Sequence, residues 1–452
     1  MAPAVLNTPP EILHVIFAPL SPSDLYAVCL TRGNWRSVAE PLLYDRVEWT
    51  WTNSQNPPIA QFLRSIVHRP ELASLVHAVI LNGDCFENSA NGYEKKSPKL
   101  PVSEDALDEL VQCVERIPIP YGEKWVQELR AGTMDAFTAL LLSRLPNLRY
   151  LYLGTNFARE SRILGMMLRS ALCEEPQDSD LPSFTHLRDV SAVYPCPGRF
   201  IRKYTDERNT ADALPFFYLP SAEQIRILVD NPTTFMWPGG YPPNSPRLLS
   251  LDLTMLREGH LGQVLSATPG LRKLRWDWYY RPDLEDRFVT DIIDLDQIAA
   301  DISQVQETLT ELTITAGSDV SLADPELPTL TFRGFPIPFL LGFSPSAPNV
   351  VGLKEALPKN VQWLTVTDDL CFQYEWEWYD ESESLFRAFR SWLQDCKKSM
   401  PRLQGFCLLM KVFKVREWEP ELIQGLRDMG VQEGIRIEIV EERTKWAGKM
   451  EP

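Results

Sequence analysis

The sequence is poor in the residues that mark catalytic and metal chemistry. Its 452 residues include only five histidines and eight cysteines, and no two cysteines form a Cys-x-x-Cys pair. The histidines do not flank the cysteines at zinc-ligand spacing, so no metal is expected. Phosphate-binding Gly-x-x-x-x-Gly-Lys-Ser/Thr loops, Gly-x-Ser-x-Gly elbows and His-Glu-x-x-His helices are missing. Carboxylates are plentiful but scattered through loops, so no acid–base pair is nominated. His14, His77 and His186 read as structural, and Asp368-Asp369 as a solvated acidic turn. The expectation is a non-enzyme with no cofactor.

Other absences bound the setting. No run approaches 18 apolar residues, which excludes an apolar membrane-spanning helix. Met1–Leu6 lacks the charged start and apolar run of a secretory leader, and no Asn-x-Ser/Thr acceptor occurs. The cysteines are expected as small buried hydrophobes in a reduced compartment, cytoplasm and/or nucleus. Positive charge is short: 45 basic against 61 acidic residues leave −16. That balance repels polyanions, so neither nucleic acid nor an anionic membrane is an expected partner.

What is present is apolar residue, at 44%, with 13 Trp and 37 Pro, the mark of a packed interior joined by stiff loops. The first 49 residues read as three short helices. Thr8 can cap a helix with Pro9 at its first position. Ile12, Leu13, Ile16, Phe17 and Leu20 then recur at helical spacing. Pro19 and Pro22 end that helix, and Ser23 or Asp24 can cap the next, striped by Leu25, Val28, Cys29 and Leu30. Gly33 closes the second helix. The third carries Trp35, Val38, Ala39, Leu42 and Leu43, with Pro41 expected to delay, kink or shorten it.

The run Pro9-Pro-Glu-Ile-Leu13…Ile16-Phe17…Leu20-Ser-Pro-Ser-Asp-Leu25…Val28-Cys-Leu30…Trp35-Arg36 resembles an F-box. The following Glu40-Pro-Leu-Leu-Tyr44 is common in the fungal branch of that family. The match covers about a tenth of the chain and departs from the usual pattern at Thr31–Asn34, where a second Cys-Arg pair is often found. The resemblance implies that residues 1–49 bind a Skp-type adaptor through Pro9, Ile12, Leu13, Ile16, Phe17, Leu20, Leu25, Val28 and Trp35. The chain would then be the substrate receptor of an SCF-type cullin–RING ubiquitin ligase. A plain helical cap on a larger domain is the competing reading.

Further along, one six-residue pattern recurs seven times. Leu-x-x-Leu-x-Leu, with conservative replacements, starts at Leu148, Leu187, Leu248, Leu271, Leu309, Val361 and Leu403, mostly just after a proline. It matches the strand half of a leucine-rich repeat, its first, fourth and sixth positions pointing inward. Amphipathic helices are expected at 105–117, 135–145, 161–172, 221–229, 291–305 and 382–396. Successive starts lie 23 to 61 residues apart, outside the usual repeat of about 20–29. A concealed strand is expected within 329–343, and Ile435–Val440 reads as a charge-shielded edge strand before a tail at 441–452. The expected fold class is α/β: a three-helix F-box followed by an irregular leucine-rich-repeat solenoid over 50–440. Irregular repeats behind an F-box, with Leu364-Thr-Val-Thr-Asp-Asp-Leu370, again resemble the fungal F-box/leucine-rich proteins.

Three aromatic stretches are candidate contacts for a target protein: 231–246, 276–281 and 374–380. Trp237, Tyr241, Trp276, Trp278, Tyr280, Trp376 and Trp378 offer large rigid area beside polar handles. The competing reading folds alternate members inward as plugs. The expected function is adaptor binding at the first module and target-protein binding by the remainder. The alternative is a non-degradative interaction scaffold.

Overall fold

The computed structural model describes residues 8–52, 54–83, 97–158, 161–174, 180–192, 212–229, 234–280, 295–318, 335–341, 357, 359–368, 371, 382–410 and 420–441. Contacts divide the chain into two compact units: residues 1–195 with 211–222 and 237–241, and residues 196–210, 223–236 and 242–452.

The first unit opens with three helices, α1 (Pro10–Phe17), α2 (Pro22–Cys29) and α3 (Gly33–Asp45). Their punctuation differs slightly from expectation. Pro9, not Thr8, stands before α1. Ser21 caps α2, its Oγ accepting the Asp24 amide at 3.2 Å, because Pro22 takes the first helical position. Gly33 opens α3 instead of ending α2, and α3 runs unbroken through Pro41. Ser37 and Pro41 are both exposed, so water can take the carbonyl that Pro41 leaves unbonded.

Strand β1 (Arg46–Thr50) follows α3 without a break, and β2 (Ala78–Asn82), β3 (Tyr150–Leu153) and β4 (Asp189–Ala192) join it in sequence order, all parallel. Between them lie α4 (Ile59–His68), α5 (Pro70–Ala73), α6 (Glu104–Glu115), α7 (Gly122–Arg130), α8 (Met134–Leu142), α9 (Thr155–Ala158) and α10 (Arg162–Leu172). All of α8 is buried, Asp135 included. That carboxylate accepts the Ile163 and Leu164 amides at 2.6 and 3.0 Å, capping α10 from a neighbouring helix and so meeting its own need for partners.

The second unit holds β5 (Gln224–Leu228), β6 (Ser250–Thr254), β7 (Lys273–Tyr280), β8 (Glu311–Ser318), β9 (Phe335–Pro336), β10 (Trp363–Thr367), β11 (Gly405–Met410) and β12 (Arg436–Glu441). They pair in parallel in the order β5-β6-β7-β8-β10-β11-β12, with the two-residue β9 also against β10. Helices 258–266, 295–303, 337–341, 382–399 and 420–433 lie between strands.

Each of the seven sequence patterns falls on a strand. The leading residue sits two positions ahead of it and is buried in every case: Leu148, Leu187, Leu248, Leu271, Leu309, Val361 and Leu403. The leucine-rich-repeat solenoid expected from that pattern is nonetheless not what forms. The chain builds an α/β fold in the general sense, parallel sheet and helices in two compact units. Among the described residues the connections are unequal: β2 and β3 are separated by three helices, β6 and β7 by one. The pattern reports the needs of a single parallel strand under helices. A solenoid also needs equal connections, so that each turn stacks on the last. The same local physics explains two further corrections. Segment 224–228 is a strand, not helix, because Ile225 and Ile227 are buried between the exposed Gln224 and Arg226. Within 329–343, Ile337–Leu341 is a short helix and only Phe335–Pro336 a strand; 329–334 and 342–343 lie outside the described residues, as does 442–452. Ile435–Val440 is matched by β12.

Parallel sheets are ordinarily covered on both faces. Here alternate residues are buried (Val79, Leu151, Leu251, Leu274, Leu312, Leu364, Phe406), while the others stay half-buried or exposed (Ile80, Tyr150, Asp252, Arg275, Glu311, Trp363, Cys407). On this open face Trp363 of β10 lies across Gly405 of β11, its register neighbour, where a Cβ would meet the indole ring. Gly405→Ala should therefore cost about 1–3 kcal/mol. Adding Trp363→Ala should return part of that loss, read by urea unfolding; simple additivity would disprove the contact.

Candidate interaction surfaces

The first surface is the α1–α3 module. Leu13, Phe17, Leu25 and Ala39 form its interior, with Leu20, Val28, Cys29, Trp35, Val38, Leu42 and Leu43 partly buried against them. Phe17 meets Trp35 edge-on, ring centroids 5.9 Å apart. Ile12 and Ile16, one position ahead of the buried pair, point to solvent at 52% and 51% exposure, joined by Val15 at 70%, Tyr26 at 59% and Leu30 at 70%. The expected adaptor residues therefore divide. Pro9, Ile12 and Ile16 are presented outward, and Leu20, Val28 and Trp35 sit half-buried. Leu13, Phe17 and Leu25 are corrected to core, because only one of two adjoining helical stripes can face α3. Val15 and Tyr26 were missed; both are large apolar residues beside the expected stripes, the one signal that could have flagged them.

This module is tied to the rest of its unit by charge. The Glu40 carboxylate on α3 accepts from Arg69, between α4 and α5, at 2.9 and 3.0 Å, and from Arg36 at 2.9 Å. Arg69 also reaches Glu71 at 2.8 Å, and His77 Nδ1 lies 2.7 Å from Asp45 Oδ1. The hydrogen bonds from Arg69 are the main reason that the Glu40 carboxyl is held below its usual range.

The second surface is the open sheet face of the second unit. Its charges are matched among themselves: Arg226–Asp252 at 2.6 Å, Arg275–Asp277 at 2.7 Å, Lys273–Glu311 at 2.6 Å and Arg436–Glu438 at 2.6 Å. Burial pushes the Asp252 carboxyl up even with Arg275 and Arg226 beside it. Half-buried Trp363, Thr365 and Cys407 form a less polar centre between these pairs.

The expected aromatic contacts fare unevenly. Trp276 is corrected to core: it is fully buried, and its Nε1 donates to the Leu256 carbonyl at 2.7 Å. Its place as the sixth residue of the strand pattern already turned it under the helices. Trp278 and Tyr280 belong to β7, but their side chains lie outside the described residues, and so do Trp376 and Trp378. In the first unit, Trp237 and Tyr241 flank Tyr218, rings nearly perpendicular at 6.3 and 5.8 Å, and Tyr241 is 57% exposed. The Tyr218 hydroxyl donates to the Tyr241 carbonyl, and burial pushes its pKa up to about 12.

Among the described residues no group of three or more His, Cys, Asp or Glu could hold a metal, and no helix is long and apolar enough to cross a membrane. A groove of about 490 Å³ beside α4 and α6 is lined by Ile66, Ile117, Arg116, Arg144 and Asp180, and Arg144 uses its guanidinium to bond the Cys113 carbonyl. No protein-family model matches the chain, and no curated protein sequence matches it.

The Glu40 clamp makes a prediction about pH. A carboxyl with a depressed folded pKa contributes stability above its unfolded pKa and loses it as pH falls through the folded value. Glu40→Gln should therefore lower Tm at pH 7, and the gap from wild type should close as pH falls from about 5 to about 3. A gap that stays constant over that range would remove the clamp.

Proposed function

We propose that this chain is the substrate-recognition subunit of an SCF-type cullin–RING ubiquitin ligase. The α1–α3 module binds a Skp-type adaptor, and other parts of the chain hold a target protein. The observation that carries this reading is the set of exposed apolar residues Ile12, Val15 and Ile16 on α1, Tyr26 on α2 and Leu30 just after it, on a module whose small interior is already filled. Its F-box-like sequence and these exposed residues agree with each other: apolar side chains held outward on a three-helix frame are what a partner must bury. Full burial of each is worth about 1.5–3 kcal/mol before the cost of association is met. Ubiquitin chemistry belongs to other subunits; this chain contributes proximity. For the target, the reading points to exposed Tyr241 with Trp237 and to the open sheet faces, where a less polar centre is ringed by paired charges.

The test is a pull-down of the full chain with a purified Skp-type adaptor. Ile16→Asp and Leu30→Asp alter exposed residues, so each should keep the circular-dichroism spectrum of the wild type and lose adaptor binding by about tenfold or more. Leu25→Asp should instead unfold the module, since it buries a charge. Absence of binding by the folded wild-type chain would sink the proposal.

A further inference from the structure

Among the described residues, the last strand of the second unit is an edge strand of unusual composition. Among the described residues β12 pairs with β11 alone. The Arg436 amide donates to the Gln404 carbonyl at 2.9 Å, so the backbone groups of Arg436 and Glu438 turn toward β11. Those of Ile437 and Ile439, which alternate with them, turn toward the free edge. The side chains of Ile437 and Ile439 lie on the helix-covered face yet remain half-exposed, and Val431 on the adjoining helix 420–433 is 79% exposed. Among the described residues, unpaired backbone groups and a half-exposed apolar margin thus stand together on this edge. A row of charge normally protects such an edge. Here the charges Arg436 and Glu438, two residues apart on the open face, are complementary to themselves under a two-fold axis.

We infer that this edge pairs with a second copy of the chain, β12 against β12 in antiparallel register about Ile437. In that register Ile437 exchanges both backbone hydrogen bonds with its symmetry mate. Arg436 of each copy then stands opposite Glu438 of the other, in a non-hydrogen-bonded pair where side chains approach closest. The interface is isologous and closes at two copies. Val431, Ile437 and Ile439 supply its apolar part. The same charges repel a foreign strand that lacks the complementary spacing, so the edge is selective for its own kind.

Sedimentation of the full chain over a dilution series tests this. The wild type should approach twice the mass of a single chain at the highest concentration. Arg436→Glu and Glu438→Arg, both at exposed or half-exposed positions, should each keep the wild-type circular-dichroism spectrum and weaken dimerisation by about tenfold or more. An equimolar mixture of the two variants should regain the doubled mass, because each then faces the opposite charge in the other. Loss of the Arg436–Glu438 contact within one chain cannot produce that recovery. A wild type that is monomeric throughout, single variants that still dimerise, or a mixture that stays monomeric would each overturn the inference.

Discussion

The structure depends on one constraint, the burial of alternate strand residues beneath helices while the backbone ladder stays parallel. Each strand must present apolar side chains two residues apart on its covered face. Seven of the strands are also entered from a segment whose own apolar residue is already inside. Leu148, Leu187, Leu248, Leu271, Leu309, Val361 and Leu403 fill that entering position, and every one is buried. The helices then have a surface to pack on, and their caps follow from it. Asp135 can be buried in α8 because the amides of α10 arrive beside it. Asp301, buried in the second unit, likewise accepts an amide of a neighbouring helix, that of Gly262 at 3.0 Å.

That constraint is local, which explains how far the sequence could be read. Strand positions were legible at the seven recurring patterns, where the apolar residues are spaced for one covered face, and most of the long helices where they are spaced for one stripe. Segment 224–228 was misread because Ile225 and Leu228 fit a helical stripe if Ile227 is ignored. The strand β1 was overlooked because Val47 and Trp49 follow a helix without a turn residue between them. Global arrangement was the weaker inference. A repeated strand signature does not fix the lengths of the connections, and those lengths decide between a stack of like turns and two units of parallel sheet with unequal crossovers.

The candidate surfaces were legible in kind more than in identity. An apolar stripe two residues wide on α1 cannot declare which edge faces inward; packing against α3 chose Leu13 and Phe17 and left Ile12 and Ile16 outside. Trp276 looked like a recognition residue because it opens an aromatic run, yet its place in the strand pattern already assigned it to the interior. Trp363 stood inside a strand signature at a position facing away from the core. The glycine it lies across is distant in sequence, so their pairing needed the register of β10 and β11 to be known.

The passage from α3 into β1 has a mechanical consequence. Asp45 ends the helix and Arg46 begins the strand, with Arg46 in register with Ala78 of β2 and the Asp45 carbonyl accepting the His77 amide at 2.9 Å. No tether intervenes whose random-coil statistics would set the reach between the module and its sheet. A partner docked on α1 and α2, as proposed, would be held at one bearing relative to the first unit, like a tool fixed in a chuck. For an assembly that must bring a reactive group to one side chain of a cargo, that stiffness replaces a search over many orientations with a single presented geometry.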